Sequence, residues 1–206
     1  MRRILKDGAI AITTPNPYDV VRGFEQAIAD YTGAPYAVAV SSCTEAIMLA
    51  CAYHKVGQVT IPKHTYVGVP MSIIHAGGKV KFEDQEWKGR YKLKPYPIWD
   101  SAKLLTSDMY KDGQMYCISL HWTKTLQVGW GGVILHDSPE ADAWLRRARF
   151  DGRQEGIPPK DDKDLIVGWH CMMSPAQAAE AWTRLSFLPK HNAPQTDVYP
   201  DLSKYK

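Results

Sequence analysis

Residues 36–54 read YAVAVSSCTEAIMLACAYH and carry the clearest structural signal in the chain. The first five of these residues form an unbroken apolar run, which is typical of a strand buried on both faces. Ser41 and Ser42 follow as a polar turn, and a serine at that place caps the helix that we predict from Cys43 to His54. The stretch therefore predicts a strand, a tight turn and a helix in succession.

The same alternation of short strands and helices continues on both sides of this stretch. An amphipathic helix precedes it, because the apolar residues from Pro17 to Tyr31 recur at helical spacing. Further strands are predicted at 58–61, 79–83, 96–99, 115–120 and 132–135, and further helices near 65–75, 139–149 and 174–188. The pattern predicts an α/β fold with a mostly parallel sheet and helices on both faces, in which sites form in the loops after the strands.

Length and composition limit the number of domains and the class of protein. A chain of 206 residues builds one well-packed core, and 45% hydrophobic with 23% charged residues exclude a disordered or collagen-like protein. We expect one α/β domain over residues 1–188 and an extended tail over 189–206, where helix-breaking residues are closely spaced. A net charge of only +3 favours small molecules and other protein chains as partners, rather than nucleic acid or a membrane.

The sequence also predicts a cytoplasmic protein. Residues 6–8 interrupt the apolar residues of the N-terminus before they reach the length of a secretory signal, and no apolar run reaches the ~18 residues of a membrane span. Four irregularly spaced cysteines are typical of reduced thiols. Two Cys and His pairs lack the spacing of a metal site, so no metal is expected: Cys117 with His121, and His170 with Cys171.

A series of polar residues follows the predicted strands, at the strand ends where sites form in α/β proteins. Taken singly, each has an ordinary explanation as a helix cap, a turn residue or a solvated side chain. The series comprises Ser42, Cys43, Thr44, Tyr66, Asp100, Ser119 and Lys124. Together, their order and spacing constitute a far more specific signal than any one of them.

In order and approximate spacing, these residues resemble the large domain of fold-type I pyridoxal-phosphate enzymes, and most closely the DegT/DnrJ/EryC1/StrS family of sugar aminotransferases. Six segments spread over nearly the whole chain carry the resemblance. They are FE with YTG at 24–33, VSSCTEA at 40–46, IPKHTY at 61–66, IWDSAK at 98–103, SLHWTK with GWGG at 119–132, and GWHCMMS with AA at 168–179.

The resemblance implies that the chain binds pyridoxal 5′-phosphate. Lys124 would form the Schiff base with the cofactor and would carry the proton that moves during the reaction. Asp100 would pair with the pyridine nitrogen and keep it protonated, so that the ring can accept electrons. Tyr66 would place its ring against the face of the cofactor.

By the same resemblance, the phosphate group of the cofactor would lie at the start of the helix after residue 42. Ser42, Cys43 and Thr44 would offer backbone N–H groups at the positive end of that helix, and Ser119 would add a hydroxyl. Cys43 departs from the family, which has glycine there, so the turn has to accommodate a Cβ and a thiol.

Three other departures concern the surroundings of the cofactor. Lys103 replaces a Gln or His, and its ammonium either lies beside the phenolic oxygen of the cofactor or points into solvent. His170 replaces an Asn that reaches the phosphate of a neighbouring subunit, and an imidazole still offers a hydrogen-bond donor for that role. Met172 replaces an Arg, and the sequence does not indicate the consequence.

The implied activity is transfer of an amino group from an amino acid, glutamate by resemblance, to a keto substrate. That substrate would be a nucleotide-linked keto sugar or a smaller carbonyl compound. Two alternatives stay open: a sugar dehydratase dependent on pyridoxal or pyridoxamine phosphate, and a non-catalytic protein that binds the cofactor or a sugar nucleotide. Lys124 disfavours the dehydratase, because such relatives carry histidine at that position.

The resemblance also bears on size and assembly. The C-terminal small domain of the family has no counterpart in these residues, and a strand-and-helix segment is missing between Asp84 and Tyr96. In the family the segment equivalent to that around His170 crosses to a partner chain. We therefore expect a homodimer in which both chains contribute to each active site.

Overall fold

The structure is a computed structural model and describes residues 2–4, 10–12 and 16–204. Residues 6–8, on which the expected lack of a secretory signal depends, lie outside the described residues. Within the described ranges, no helix combines the length and the apolar character needed to cross a membrane. All four cysteines are described, and each is a free thiol.

The predicted helices and strands between residues 17 and 188 are present, with ends shifted by three residues or fewer. The helices are α1 (Asp19–Thr32), α2 (Cys43–Tyr53), α3 (Gly68–His75), α4 (Pro139–Ala148) and α5 (Pro175–Leu185). The strands are β1 (Arg2–Ile4), β2 (Ile10–Ile12), β3 (Tyr36–Val40), β4 (Gln58–Pro62), β5 (Lys79–Glu83), β6 (Tyr91–Leu93), β7 (Ile98–Asp100), β8 (Met115–Ser119) and β9 (Gly132–His136). Within 189–204, Leu202–Lys204 form one short 3-10 turn.

Local sequence explains where the helices begin and end. Ser42, Ser138 and Ser174 each cap a helix by accepting a hydrogen bond from the backbone N–H three residues later. At the end of α1, Gly33 adopts a left-handed conformation with φ 76°, which glycine tolerates without strain. Asn16 lies before the helix and accepts a hydrogen bond from the Tyr18 N–H at 3.1 Å.

The fold class is confirmed as α/β, but the sheet is mixed rather than mostly parallel. Five strands lie in the order β3-β9-β8-β7-β6, and among their neighbours only β7 and β8 run parallel. The strands β4 and β5 form a separate parallel pair, joined to the end of β6 by a bridge between Thr60 and Lys94.

A short connection accounts for the antiparallel pairing of β6 with β7. A parallel neighbour needs a crossover of a dozen or more residues, usually with a helix, whereas a tight turn makes an antiparallel neighbour. Residues 94–97 are the whole connection between β6 and β7, which is too short for a crossover, whereas the longer loop 120–131 joins β8 to β9 without a helix. Strand β6 was not predicted, and it lies in the segment between Asp84 and Tyr96.

Helices cover both faces of the five-stranded sheet, so the core consists of two clusters of buried residues, one on each face. Val38 and Val40 of β3 pack on one face with residues of α2 and α4. Ala37 and Ala39 of the same strand pack on the opposite face with residues of α1 and α5. Because both faces are buried, strand β3 is apolar throughout. Its carboxyl end leads into the loop in which the polar residues lie.

Candidate functional site

The carboxyl ends of β3, β7 and β8 and the loop after β4 surround one cavity of about 260 Å³. Seven residues identified in the sequence line it: Ser42, Cys43, Thr44, Tyr66, Asp100, Ser119 and Lys124. Other lining residues are Ile47, Thr65, Val69, Trp87, Ala102, His121, Thr123, Trp130, Gly131, Asp197 and Tyr199. The fold therefore brings together side chains that are up to 82 positions apart in the predicted set.

The start of α2 forms one wall of this cavity. Ser42 accepts a hydrogen bond from the Glu45 N–H at 3.2 Å and donates one to the Glu45 carboxylate at 2.9 Å. The N–H groups of Cys43 and Thr44 lie in the first helical turn, so they have no carbonyl within the helix to bind. This wall presents backbone donors at the positive end of a helix, which favours an anion.

The structure shows how Cys43 is accommodated in place of glycine. Its thiol donates a hydrogen bond to the Cys117 carbonyl oxygen, with a sulfur-to-oxygen distance of 3.6 Å. Burial and the nearby Asp100 carboxylate raise the pKa of Cys43 well above its ordinary value. The thiol therefore stays protonated and serves as a packing group against β8 rather than as a nucleophile.

Asp100 is buried at the end of β7. One carboxylate oxygen accepts a hydrogen bond from the Ala102 N–H at 2.9 Å. Burial raises the pKa of Asp100, while the Ala102 N–H, the Tyr91 hydroxyl and the Lys124 ammonium act in the opposite direction. The buried carboxylate is therefore held in place and would gain from a further cationic partner.

Lys124 is the last residue of a turn, which is closed by a hydrogen bond of 2.8 Å from the Lys124 N–H to the His121 carbonyl oxygen. Partial burial and the adjacent Lys103 ammonium lower the pKa of Lys124, and Asp100 and Cys43 oppose this. A lowered pKa increases the neutral fraction of the amine, which is the nucleophilic form.

Lys103 does not point into solvent. Its side chain is 5% exposed, and its Nζ lies 2.8 Å from Oδ2 of Asp197. The ammonium is close enough to Lys124 to affect its pKa directly. The solvated alternative for Lys103 is therefore wrong, and the partner that keeps the charge buried is a residue of the C-terminal tail.

Ser119 and Tyr66 lie at different depths of the cavity. Ser119 is buried, and its hydroxyl accepts a hydrogen bond from the His121 N–H at 3.4 Å. Tyr66 is largely exposed at the mouth, and a Cβ on Gly68 would lie 2.7 Å from its ring. Gly68 thus leaves room for the tyrosine ring beside the start of α2.

His170 does not line the cavity of its own chain. Its side chain is 76% exposed, and Nδ1 lies 3.0 Å from a carboxylate oxygen of Asp151. An exposed imidazole paired with an aspartate is neither a buried structural histidine nor a contact to this cavity. Met172, the neighbouring departure, forms a bridge with Val40 at the end of β3.

Several residues that line the cavity or lie behind its wall were missed in the sequence. The Thr65 hydroxyl and the Tyr91 hydroxyl share a hydrogen bond of 2.6 Å, next to Asp100. Asp197 and Tyr199 come from the tail, which had been expected only to be extended. Neither Tyr91, in the unpredicted strand β6, nor the pair Asp197 and Tyr199, which lies among prolines, belongs to a periodic apolar pattern. No sequence signal therefore pointed to them. Over the part of the chain that the structure describes, no three His, Cys, Asp or Glu side chains gather as metal ligands.

Known proteins are similar to this chain in sequence over part of its length and in fold over most of it. The sequence model of the DegT/DnrJ/EryC1/StrS aminotransferase family matches residues 6–97. No curated protein matches the sequence of the chain.

Solved structures with a similar fold include a PLP-dependent aminotransferase from Bacillus cereus ATCC 10987, with 20% identity, a TM-score of 0.70, and coverage of 82% of this chain and 59% of that one. DesV of S. venezuelae has 19% identity and a TM-score of 0.67, with coverage of 86% and 58%. The sugar aminotransferase CalS13 of Micromonospora echinospora has 15% identity and a TM-score of 0.70, with coverage of 90% and 63%. The chain thus spans less than two thirds of the length of each of them.

At these identities the solved structures establish the fold, while the family match establishes the sequence relationship over residues 6–97. The resemblance to the DegT/DnrJ/EryC1/StrS aminotransferase family is therefore confirmed over residues 6–97, and the solved structures show the shared fold over most of the chain.

Proposed function

We propose that the chain binds pyridoxal phosphate and acts as an aminotransferase. One observation carries the proposal: the Lys124 amine, the Asp100 carboxylate and the N-terminal turn of α2 line the same cavity. These three groups match three chemical parts of the cofactor: an aldehyde, a basic ring nitrogen and a phosphate. No two of them are near each other in sequence, so the match depends on the fold.

The chemistry of the donor set fits this cofactor. The phosphate would bind the N–H groups of Cys43 and Thr44, with the Ser119 hydroxyl beside them. The cofactor ring would lie against Tyr66. The protonated ring nitrogen would be a cationic partner for Asp100, which stabilises the buried carboxylate. When bound, pyridoxal phosphate supplies an aldehyde that exchanges amino groups and a ring that accepts an electron pair.

Lys124 would hold the cofactor covalently and then transfer the proton of the substrate. Its lowered pKa supports both tasks, because the neutral amine attacks a carbonyl and also accepts a proton. Asp100 would keep the ring nitrogen charged, since a carboxylate buried beside it stabilises the protonated form. Ser42 would orient the first turn of α2 through its hydrogen bonds with Glu45.

We propose an amino acid, glutamate by family resemblance, as the donor, and a keto sugar or another small carbonyl compound as the acceptor. CalS13, which shares the fold, is a sugar aminotransferase, and this supports the sugar as the first acceptor to test. The free thiols support a reducing, cytoplasmic setting. We also propose that residues 1–188 form one α/β domain.

We also propose a homodimer with shared sites. Apolar side chains that are half exposed occupy one face of α3 and the loops beside the cavity: Tyr66, Val67, Met71, Ile74, Trp122 and Trp130. Exposed apolar side chains grouped next to a site are typical of a protein interface. In such a dimer the exposed His170 would reach the phosphate site of the partner, as the resemblance implies.

The test is reduction with borohydride after incubation with pyridoxal phosphate, followed by peptide mass spectrometry. We expect a yellow protein and a covalent adduct on Lys124 alone. Lys124→Ala should keep non-covalent cofactor binding but lose amino transfer, whereas Lys190→Ala, outside the cavity, should retain both. An adduct on another lysine would refute the assignment. Cofactor binding without amino transfer would favour the non-catalytic alternative.

A further inference from the structure

The C-terminal tail returns to the candidate site and joins it through backbone hydrogen bonds. The Gln195 N–H donates to the Lys103 carbonyl oxygen at 2.8 Å, and the Gly89 N–H donates to the Gln195 carbonyl oxygen at 3.2 Å. A few residues further on, the ring of Tyr199 stacks on that of Trp87 with 5.9 Å between centroids. Residues 195–199 are therefore docked against the site.

The tail also brings a charge to the cavity. Asp197 lines the cavity and forms the ion pair with Lys103 described above, in which the lysine is buried and the aspartate is about half exposed. A buried ammonium without a partner is costly, so Asp197 is what allows Lys103 to remain inside. The hydrogen bond from Lys103 lowers the pKa of Asp197, which is consistent with a charged pair.

We propose that Asp197 is a positioning residue of the candidate site, which holds the Lys103 ammonium in place and thereby fixes the charge that the Lys124 amine experiences. The tail is then a wall of the site rather than a surface extension. The inference deepens the proposed function, on which it rests for the role of Lys124.

The charged and titratable groups that face Lys124 come from several elements. Asp100 at the end of β7 and Cys43 at the start of α2 raise the pKa of Lys124, and Lys103 lowers it. Lys124 in turn lowers the pKa values of His121 and Asp197. Among these groups, all of which the structure describes, one ion pair forms, between Lys103 and Asp197.

The experiment measures the pH dependence of Lys124 modification by reductive methylation, on the cofactor-free full chain, with each lysine resolved by mass spectrometry. Lys103→Gln should shift the Lys124 profile to higher pH. Asp197→Asn should also shift the Lys124 profile to higher pH, because the Lys103 ammonium then loses the partner that holds it near Lys124. Asp197→Asn should have a smaller effect in the Lys103→Gln background, because the two residues then no longer act as a pair.

Asp84→Asn is the matched control, since Asp84 also pairs with a lysine, Lys63 at 2.9 Å, but does not line the cavity. It should leave the Lys124 profile unchanged. Hydrogen exchange at the Gln195 amide supplies a second readout, and it should become faster in Asp197→Asn but not in Asp84→Asn.

Unchanged Lys124 profiles in both Asp197→Asn and Lys103→Gln would overturn the inference. If Asp197→Asn fails to fold, the profile of Lys103→Gln alone decides the matter. A borohydride adduct on a different lysine would refute the proposed function without affecting this result. An adduct on Lys124 with insensitive profiles would refute only the role of Asp197.

Discussion

Gly132 and Ser42 are in close main-chain contact where β9 begins beneath the first turn of α2. A Cβ at residue 132 would lie 2.5 Å from the carbonyl carbon and oxygen of Ser42 and 2.6 Å from the Cys43 nitrogen. Real Cβ atoms do not approach backbone so closely, so only glycine allows this packing. The contact ties the position of the proposed phosphate wall to the register of β9 with β3, in which Val40 pairs with Gly132.

Gly132→Ala should displace the first turn of α2. We expect the free energy of unfolding to fall by about 1–3 kcal/mol, as for other overpacked sites. The affinity for pyridoxal phosphate should fall as well, because the N–H donors move. Denaturant unfolding and cofactor titration measure the two effects. Gly57→Ala is the control, since a Cβ there meets only the Tyr96 hydroxyl at 3.6 Å. Equal behaviour of the two variants would contradict the expectation.

Asp100→Asn tests the role of the buried carboxylate in the proposed reaction. An asparagine keeps an oxygen for the Ala102 N–H, so the fold should persist. Turnover should fall by roughly two to four orders of magnitude, because an amide does not stabilise a protonated ring nitrogen. Steady-state kinetics and circular dichroism together give the result. A loss of only a few-fold would show that Asp100 is a turn residue.

The same carboxylate predicts a pH dependence of stability in the cofactor-free protein. Because burial raises the pKa of Asp100, the folded chain holds a proton that the unfolded chain releases. The free energy of unfolding should therefore fall as pH rises. The fall begins near the ordinary pKa of an aspartate, about 3.9, and ends above the raised pKa of Asp100 in the folded chain. Asp100→Asn should gain stability relative to wild type across that window. A difference that does not vary with pH would contradict the assigned burial effect.

Much of the fold followed from local sequence, because apolar periodicity and serine caps determine where elements begin. The sheet topology did not follow, since the residues of a strand do not by themselves determine its direction or its neighbours, as β6 and β9 show. Lys103 illustrates the same limit within the site. Its sequence neighbours could not indicate whether it is buried, because its counter-charge, Asp197, is 94 positions away.

The last prediction concerns the proposed dimer. Ile74 lies on the apolar face of α3 and is 52% exposed, so an aspartate there should be tolerated by the single chain but not by an interface. We expect Ile74→Asp to convert a dimer to monomers in light scattering and to weaken cofactor binding in parallel, since each site would lose the partner's contribution. Phe187→Asp is the matched control, because Phe187 is 82% exposed and lies outside this face. The His170 imidazole pairs with Asp151 of its own chain and does not line the cavity of that chain, so His170→Ala should leave the dimer intact and lower cofactor affinity alone. A monomeric wild type that binds the cofactor fully, or a His170→Ala dimer with unaltered affinity, would refute the shared site, because an exposed histidine outside its own cavity can act on a cofactor only across an interface.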